Sequence, residues 1–299
     1  MPALERTRPA YLSEMRGIAQ GAGVDLLDIL ALNARTEIVF GLFTKSPGAE
    51  IKTDGCTSVA LRSTGGTLLA QNWDWQAEQA PNLLTCHISR ETGVPDLVMV
   101  TEGGVIGKIG FNDCGVGVCL NAIRARGVDE SKLPVHLGLR AALECKSRAE
   151  AVETLMELGI AGSAHILVAD GEGATGLECT VKGVKELEMD GKGRVVHSNH
   201  LLLHHPGVEE PAWLKDSPVR VDRMHELLDK KMEGGRIGVP ELLDVFKDQD
   251  GYPCSINRAQ TGESEIQTVF NIIMELGERR AVVRCGRPTD DGEVIHLSL

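Results

Sequence analysis

Apolar positions along this chain keep helical spacing at the start and then shift to the short period of strands. Leu12, Met15 and Ile18 recur three apart, the pattern breaks at Gly21-Ala22-Gly23, and Asp25 is placed as the N-cap of a second helix. Leu26, Ile29, Leu30, Ala34 and Ile38 give that helix a broad apolar face running to about Phe43. Asn33 and Glu37 fall beside the face. A solvated edge is the ordinary reading of such positions, and a buried polar pair facing a site is the sharper one. Ser46-Pro47-Gly48-Ala49-Glu50 has the composition of a loop.

From Thr57 the pattern shortens. Strands are expected at 57–61 and 67–72 around a Ser63-Thr64-Gly65-Gly66 turn, then at 83–88, 96–101 and 107–111, with a second hairpin turning at Asn112-Asp113 and returning through 115–121. Helices follow at 134–145 and 148–158, strands at 165–169, 176–180, 184–187 and 195–198, helices at 218–232 and 240–247, and closing strands at 268–276, 281–285 and 294–297. Strands do not alternate singly with helices, which disfavours a doubly wound parallel sheet. Stacked antiparallel sheets with helices outside, an α+β fold, are expected instead, as one domain over residues 1–299.

Composition narrows the function classes. The 299 residues carry 31 Lys and Arg against 43 Asp and Glu, a net charge of −12, which argues against nonspecific binding to nucleic acid or to an anionic membrane. No apolar run is long enough to span a bilayer, and the first residues lack the apolar core of a signal peptide, so a cytoplasmic location is expected. The C-terminal Leu-Ser-Leu is not a clear peroxisomal signal. Eight cysteines are scattered without a Cys-x-x-Cys pair, and seven read as small buried hydrophobes.

Cys56 is the exception. It follows Gly55 where helical character gives way to sheet, so residues 1–55 read as a separable leader. Eighteen residues on, the returning strand ends in Gln71-Asn72-Trp73-Asp74-Trp75, which places a carboxylate at the same end of the hairpin as the thiol. A thiol beside its own Gly55 carbonyl is able to attack it, exchanging amide for thioester, and glycine makes the necessary backbone strain cheap. Hydrolysis then leaves Cys56 as a new N-terminus whose amine, with a reference pKa of roughly 7.7–8.0, serves as base beside the nucleophile.

Asp54-Gly55-Cys56-Thr57 followed by Gln71-Asn72-Trp73-Asp74 resembles the isopenicillin N / acyl-coenzyme A:6-aminopenicillanate acyltransferase family of self-processing N-terminal-nucleophile enzymes. The resemblance extends through 15–23 and 32–37 in the leader, Gly110-Phe111-Asn112-Asp113-Cys114-Gly115, His197-Ser198-Asn199-His200, Ser255-Ile256-Asn257-Arg258 and Gly286-Arg287-Pro288-Thr289. It implies a four-layer αββα fold, cleavage at Gly55–Cys56 into a leader (1–55) and a catalytic chain (56–299) that stay paired as an αβ heterodimer, and no cofactor. Further pairing of αβ units is left open.

The same resemblance assigns Cys56 as nucleophile toward an amide or acyl-coenzyme A donor, with water or an amine as acceptor. It has Asp74 orient the Cys56 amine or the substrate, where a plain strand-end cap is the bland alternative. Asn199 becomes an oxyanion donor, and Asn121 a second one as in related penicillin V acylases and bile-salt hydrolases. Arg258 is offered a substrate carboxylate or, with equal weight, a structural ion pair. Trp75 is the better pocket candidate of a Trp pair whose other member, Trp73, reads as core. His197, His200, His204 and His205 do not complete a metal site, and the glycine-rich stretch 103–110 matches neither a dinucleotide nor a P-loop fingerprint. Two competing readings are a catalytically silent, uncleaved relative acting as a binding or scaffold protein, and a β-alanyl-amine hydrolase.

Overall fold

The structure is a computed structural model that describes residues 2–42, 55–89, 93–211 and 214–299. Phe43, the expected loop at 46–50 and Thr53-Asp54 lie outside these residues.

Residues 2–42 supply α1 (Pro2–Thr7), α2 (Pro9–Ala22) and α3 (Leu26–Asn33), then a π-helical segment at Glu37–Leu42. Gly23 ends α2 with a left-handed φ of 69°, its N–H reaching back toward the carbonyls of Ala19 and Gln20. Asp25 occupies the N-cap of α3 without a side-chain cap bond.

Antiparallel strands follow: β1 (Gly55–Ser63), β2 (Gly66–Trp75), β3 (Leu83–Ile88), β4 (Leu97–Glu102), β5 (Ile109–Asn112) and β6 (Gly117–Ala122). After α4 (Val135–Leu143) and α5 (Arg148–Leu158) come β7 (Ala164–Asp170), β8 (Gly173–Thr180), β9 (Gly183–Glu188) and β10 (Arg194–His197). Then α6 (Asp216–Glu233) and α7 (Val239–Phe246) precede β11 (Gln267–Glu275), β12 (Arg280–Cys285) and β13 (Val294–Ser298).

One sheet runs β10-β1-β2-β11-β12-β13 and the other β3-β4-β5-β6-β7-β8-β9. Their facing sides enclose a core holding Cys56, Ala60, Leu69, Trp73, Phe111, Leu167 and Phe270. On the outer side of the first sheet, α6 and α7 cover Val59, Leu61, Leu68 and Ala70. On the outer side of the second, α4 and α5 cover Leu97, Val118 and Ile166, and α2 and α3 pack on α4 beyond them. The layers are therefore α-β-β-α, as expected. Each large apolar side chain buried in this way contributes on the order of 1.5–3 kcal/mol, which is why helices lacking strong caps still hold their places.

Because β1 and β2 are covered on both faces, they are buried almost end to end, and the polar–apolar alternation of a half-exposed strand is absent. That is the reason both strands run longer than the sequence pattern marks. Gln71, pointing between the sheets, is tied to the backbone of Leu120 through both ends of its amide. Asn72, on the opposite face, donates to Phe246 O and Ile256 O at 3.0 and 2.9 Å, fastening α7 and the 253–258 loop to the sheet.

Asn33 and Glu37 take the sharper of their two readings in that both are buried. Asn33 Nδ2 donates to Gly104 O at 2.8 Å and its Oδ1 accepts from Ile106 N at 3.0 Å. Glu37 Oε1 accepts from Val135 N, at the start of α4, at 2.8 Å. Through these bonds both side chains join the first helices to the rest of the chain.

Candidate active site

The β1–β2 register pairs Gly55 with Asp74 and Cys56 with Trp73. Alternation along the strands then divides the site between two faces. Cys56 and Trp73 point into the space between the sheets, while Asp74 lies on the face toward α6. What Asp74 meets there is the backbone of Gly55: a Cβ placed on that glycine would lie 3.3 Å from Asp74 Oδ2, 3.2 Å from Arg258 Nε and 3.0 Å from Ile266 Cδ1. Residue 55 has room for hydrogen and little else.

The chain leaving β10 brings in Asn199. Its Oδ1 accepts from Cys56 N at 2.9 Å and its Nδ2 donates to Ala122 O at 3.0 Å, so one side chain bridges the nucleophile candidate and the end of β6. Ser217, in the first turn of α6, fixes this segment: its Oγ accepts from Asn199 N at 2.8 Å and lies 2.6 Å from Ser198 Oγ.

Two arginines and two aspartates surround the same backbone. Arg220 Nη1 donates to Cys56 O at 2.6 Å and Thr57 Oγ1 at 2.9 Å, Nη2 donates to Asn199 Oδ1 at 2.9 Å, and Nε donates to Asp216 Oδ2 at 2.7 Å. Arg258 Nη2 also bonds Asp216, and its Nε lies 3.5 Å from Asp74 Oδ2. Thr268 Oγ1 donates to Asp74 Oδ1 at 2.8 Å. The four charges sum to zero, as a buried network requires if it is not to carry a heavy desolvation cost. Burial would raise the Asp216 carboxyl, but Arg220 and Arg258 overcome it and hold the pKa below the ordinary aspartate value. Of the two readings open for Arg258, the geometry has the ion pair: its guanidinium faces Asp216 and Asp74, with Ser264 Oγ 3.1 Å from Nη1.

Asn121 is fully buried on β6. Its Oδ1 accepts from Ser58 Oγ at 2.6 Å and lies 2.9 Å from His165 Nδ1. Trp75 is half-buried, stacked on Trp73 with ring centroids 6.0 Å apart, and it helps line a cavity of about 780 Å³ with Leu32, Arg35, Leu83, Leu84 and Val105. Arg35, just after α3, lies 5.2 Å over the Trp75 ring and is held by Glu102 at 2.5 and 2.7 Å. Lys108 donates to the same carboxylate at 2.5 Å and sits 3.9 Å over Trp73. Burial would raise Glu102, yet Lys108 and Arg35 hold it far below the usual carboxylate range.

Among the described residues, no group of three or more His, Cys, Asp or Glu is arranged to hold a metal ion. Three of the four histidines of 197–205 hydrogen-bond through their rings: His197 and His205 flank Glu178, and His200 Nδ1 meets Ser217 Oγ at 2.7 Å. Burial, then His197 and Arg220, lower the His200 pKa to about 4. Also among the described residues, no helix is long and apolar enough to cross a membrane.

Sequence reading missed Arg220, Asp216 and Ser217. The helix was expected to begin at Pro218, leaving Asp216 and Ser217 outside it. The available signal was Asp216 and Arg220 at i,i+4 spacing around that proline.

Two antiparallel sheets packed face to face between helical layers are the arrangement of the N-terminal-nucleophile hydrolase fold. Solved structures share it. A variant of conjugated bile acid hydrolase from Clostridium perfringens superposes with a TM-score of 0.60 at 14% identity, covering 81% of this chain and 92% of that one. The Caenorhabditis elegans ortholog of N-acylethanolamine-hydrolyzing acid amidase gives 0.56 at 16% identity, over 74% and 93%. Sequence carries the relationship further. The family described as acyl-coenzyme A:6-aminopenicillanic acid acyl-transferase matches residues 61–290. The acyl-coenzyme A:6-aminopenicillanic-acid-acyltransferase 40 kDa form of Emericella nidulans is 40% identical over 294 residues, covering 97% of this chain and 79% of that protein. The chain belongs to this acyltransferase family.

Proposed function

We propose that the chain is a self-processing thiol enzyme that forms an acyl-enzyme on Cys56 from an amide or an acyl-coenzyme A thioester and passes the acyl group to water or an amine. In processing, Cys56 Sγ adds to the Gly55 carbonyl. The C–N bond then breaks, with the thiol proton delivered to the Cys56 nitrogen, and a thioester remains. Water hydrolyses it to a Gly55 carboxylate and a free Cys56 thiol and amine. In turnover that amine takes the thiol proton, the thiolate adds to the donor carbonyl, and the proton returns to the departing amine or coenzyme A thiol.

The observation that most supports this reading is the hold on the Cys56 backbone, whose nitrogen lies on Asn199 Oδ1 at 2.9 Å and whose carbonyl lies on Arg220 at 2.6 Å. A nitrogen already held by a neutral acceptor keeps its place when it becomes an amine. Asp74 and Arg258 flank Gly55 and orient the group that is released. Asn121 and the Nδ2 group of Asn199 serve as oxyanion donors, each with a role of the kind whose loss costs on the order of 3–4 kcal/mol of barrier. The cavity walled by Trp75 and Arg35 receives the acyl donor, one strand period from the Trp73–Cys56 pair. Arg35 makes the leader part of that pocket, so the two fragments remain one αβ unit.

N-terminal sequencing and intact mass test the proposal. Wild type yields a large fragment beginning at Cys56, and the Cys56→Ala variant stays whole. A wild-type chain that remains intact at Gly55–Cys56 under native conditions overturns the mechanism in favour of a silent relative.

A further inference from the structure

Ser58 follows Cys56 by two residues on β1, so both side chains enter the space between the sheets about 7 Å apart. There Ser58 Oγ donates to Asn121 Oδ1 at 2.6 Å. His165, the cross-strand partner of Asn121 on β7, places Nδ1 2.9 Å from the same oxygen. Two donors on Oδ1 leave the amide one orientation, with its NH2 group turned away from both. That Nδ2 is buried and bonds to nothing in the protein. The adjoining carbonyl, of Ala122, is the one Asn199 holds. An unpartnered donor thus sits one side chain from Cys56, in a segment already tied to the nitrogen of Cys56.

His165 donates from Nδ1 only in the Nδ1–H tautomer, the one in which the hydrogen meets an acceptor, since Nε2 has no hydrogen-bond partner. The His165 ring stacks on His197 at 3.6 Å between centroids and 10° between planes. His197 Nδ1 lies 2.9 Å from Ser198 O and its Nε2 2.9 Å from Glu178 Oε1, so both of its nitrogens face acceptors and the ring is fixed in place. Glu178 also accepts from His205 Nε2 and from the N–H groups of Leu202 and Leu203. Burial, reinforced by the neighbouring His197, pushes the His165 pKa well below the ordinary histidine value. Its bare Nε2 faces Gly176, where a Cβ would come within 2.5 Å.

We propose that Ser58 and His165 are positioning residues that clamp Asn121 so its Nδ2 donates to the carbonyl oxygen of the acyl group under attack by Cys56. The proposal rests on the acyl-enzyme reading above. It acts through the transition state, so the clamp changes kcat and leaves KM nearly unmoved.

The test follows coenzyme A release from phenylacetyl-coenzyme A by the mature protein, together with ¹⁵N NMR of its histidine rings. Asn121→Ala lowers kcat about 100-fold. Ser58→Ala lowers it about 10-fold with KM within twofold, Ser58→Thr restores it, and His165→Asn, which keeps a donor near the Nδ1 position, loses less than His165→Ala. In an Asn121→Ala background, Ser58→Ala has no further effect; in the wild type, His165 shows its proton on Nδ1. An equal loss from Ser58→Ala in both backgrounds, an unchanged kcat, or an Nε2–H tautomer overturns the clamp. A wild type no faster than Cys56→Ala overturns the acyl-enzyme reading, and the clamp falls with it.

Discussion

The four buried charges around the Cys56 backbone make a quantitative prediction. Replacing Arg220 with methionine keeps an unbranched side chain and removes four bonds: to Cys56 O, Thr57 Oγ1, Asn199 Oδ1 and Asp216 Oδ2. It also leaves Asp74 and Asp216 to share Arg258, so the network becomes net negative. Breaking a buried pair from one side costs about 3–5 kcal/mol, a large part of an ordinary folding free energy. Asp216→Asn does the converse, leaving Arg220 and Arg258 with Asp74 as the one carboxylate, at a similar cost of about 3–5 kcal/mol. The double variant returns to one arginine and one aspartate. It is therefore less destabilised than the sum of the single variants, by about 1–3 kcal/mol. Urea unfolding in a Cys56→Ala background, where every variant stays a single uncleaved chain, measures the coupling. Losses that add within about 0.5 kcal/mol would refute the view that these groups act as one balanced network.

Three further outcomes follow from the same geometry. Gly55→Ala forces its methyl against Ile266, Arg258 and Asp74, and a shift of about 1–2 kcal/mol slows appearance of the Cys56 fragment roughly tenfold on a denaturing-gel time course. Burial raises the Glu37 carboxyl from 4.5 to about 7; a raised pKa in the folded state means that its contribution is complete below pH 4.5 and is lost as pH rises through about 7. Glu37→Gln therefore removes one proton's worth of declining stability across that window, an effect of up to about 3 kcal/mol, read from urea midpoints at pH 5 and 7.5. After processing, the leader and the large fragment coelute in native size-exclusion chromatography and separate in urea, because Asn33, Glu37 and the Arg140–Glu14 and Tyr11–Glu144 contacts join them; separation without denaturant would show that these contacts do not hold the pair.

Much of this arrangement is legible in the sequence, and what escapes it has a physical cause. The hairpin of β1 and β2 is local, so its turn at Thr64-Gly65 and the pairing of the Cys56 end with the Asp74 end follow from counting residues. Arg220 reaches Cys56 across 164 residues, a distance over which no local pattern carries information. Asn33 and Glu37 mislead in another way. Beside an apolar stripe they read as solvated, but they satisfy backbone N–H groups of Ile106 and Val135 that lack partners of their own at a loop and a helix start. Such a need belongs to the segment being docked, not to the one whose pattern is being read.

The site itself sits where patterning fails most. Gln71, Asn72 and Asp74 follow one another in a central strand with no exposure on either face, where an apolar run would be expected. Each polar group is matched across a layer: Gln71 by the backbone of Leu120, Asn72 by α7 and the 253–258 loop, Asp74 by Thr268 and Arg258. Unmatched, each would cost about 1–3 kcal/mol, so three in one strand are tolerable only if the surrounding layers are held in fixed register. The rigidity that holds those partners in place is the same rigidity that holds Cys56 against Asn199. A strand whose polarity contradicts its burial is thus the sequence's own mark of the site, and Trp73, directly opposite Cys56 within it, supplies the apolar anchor that keeps the layers together.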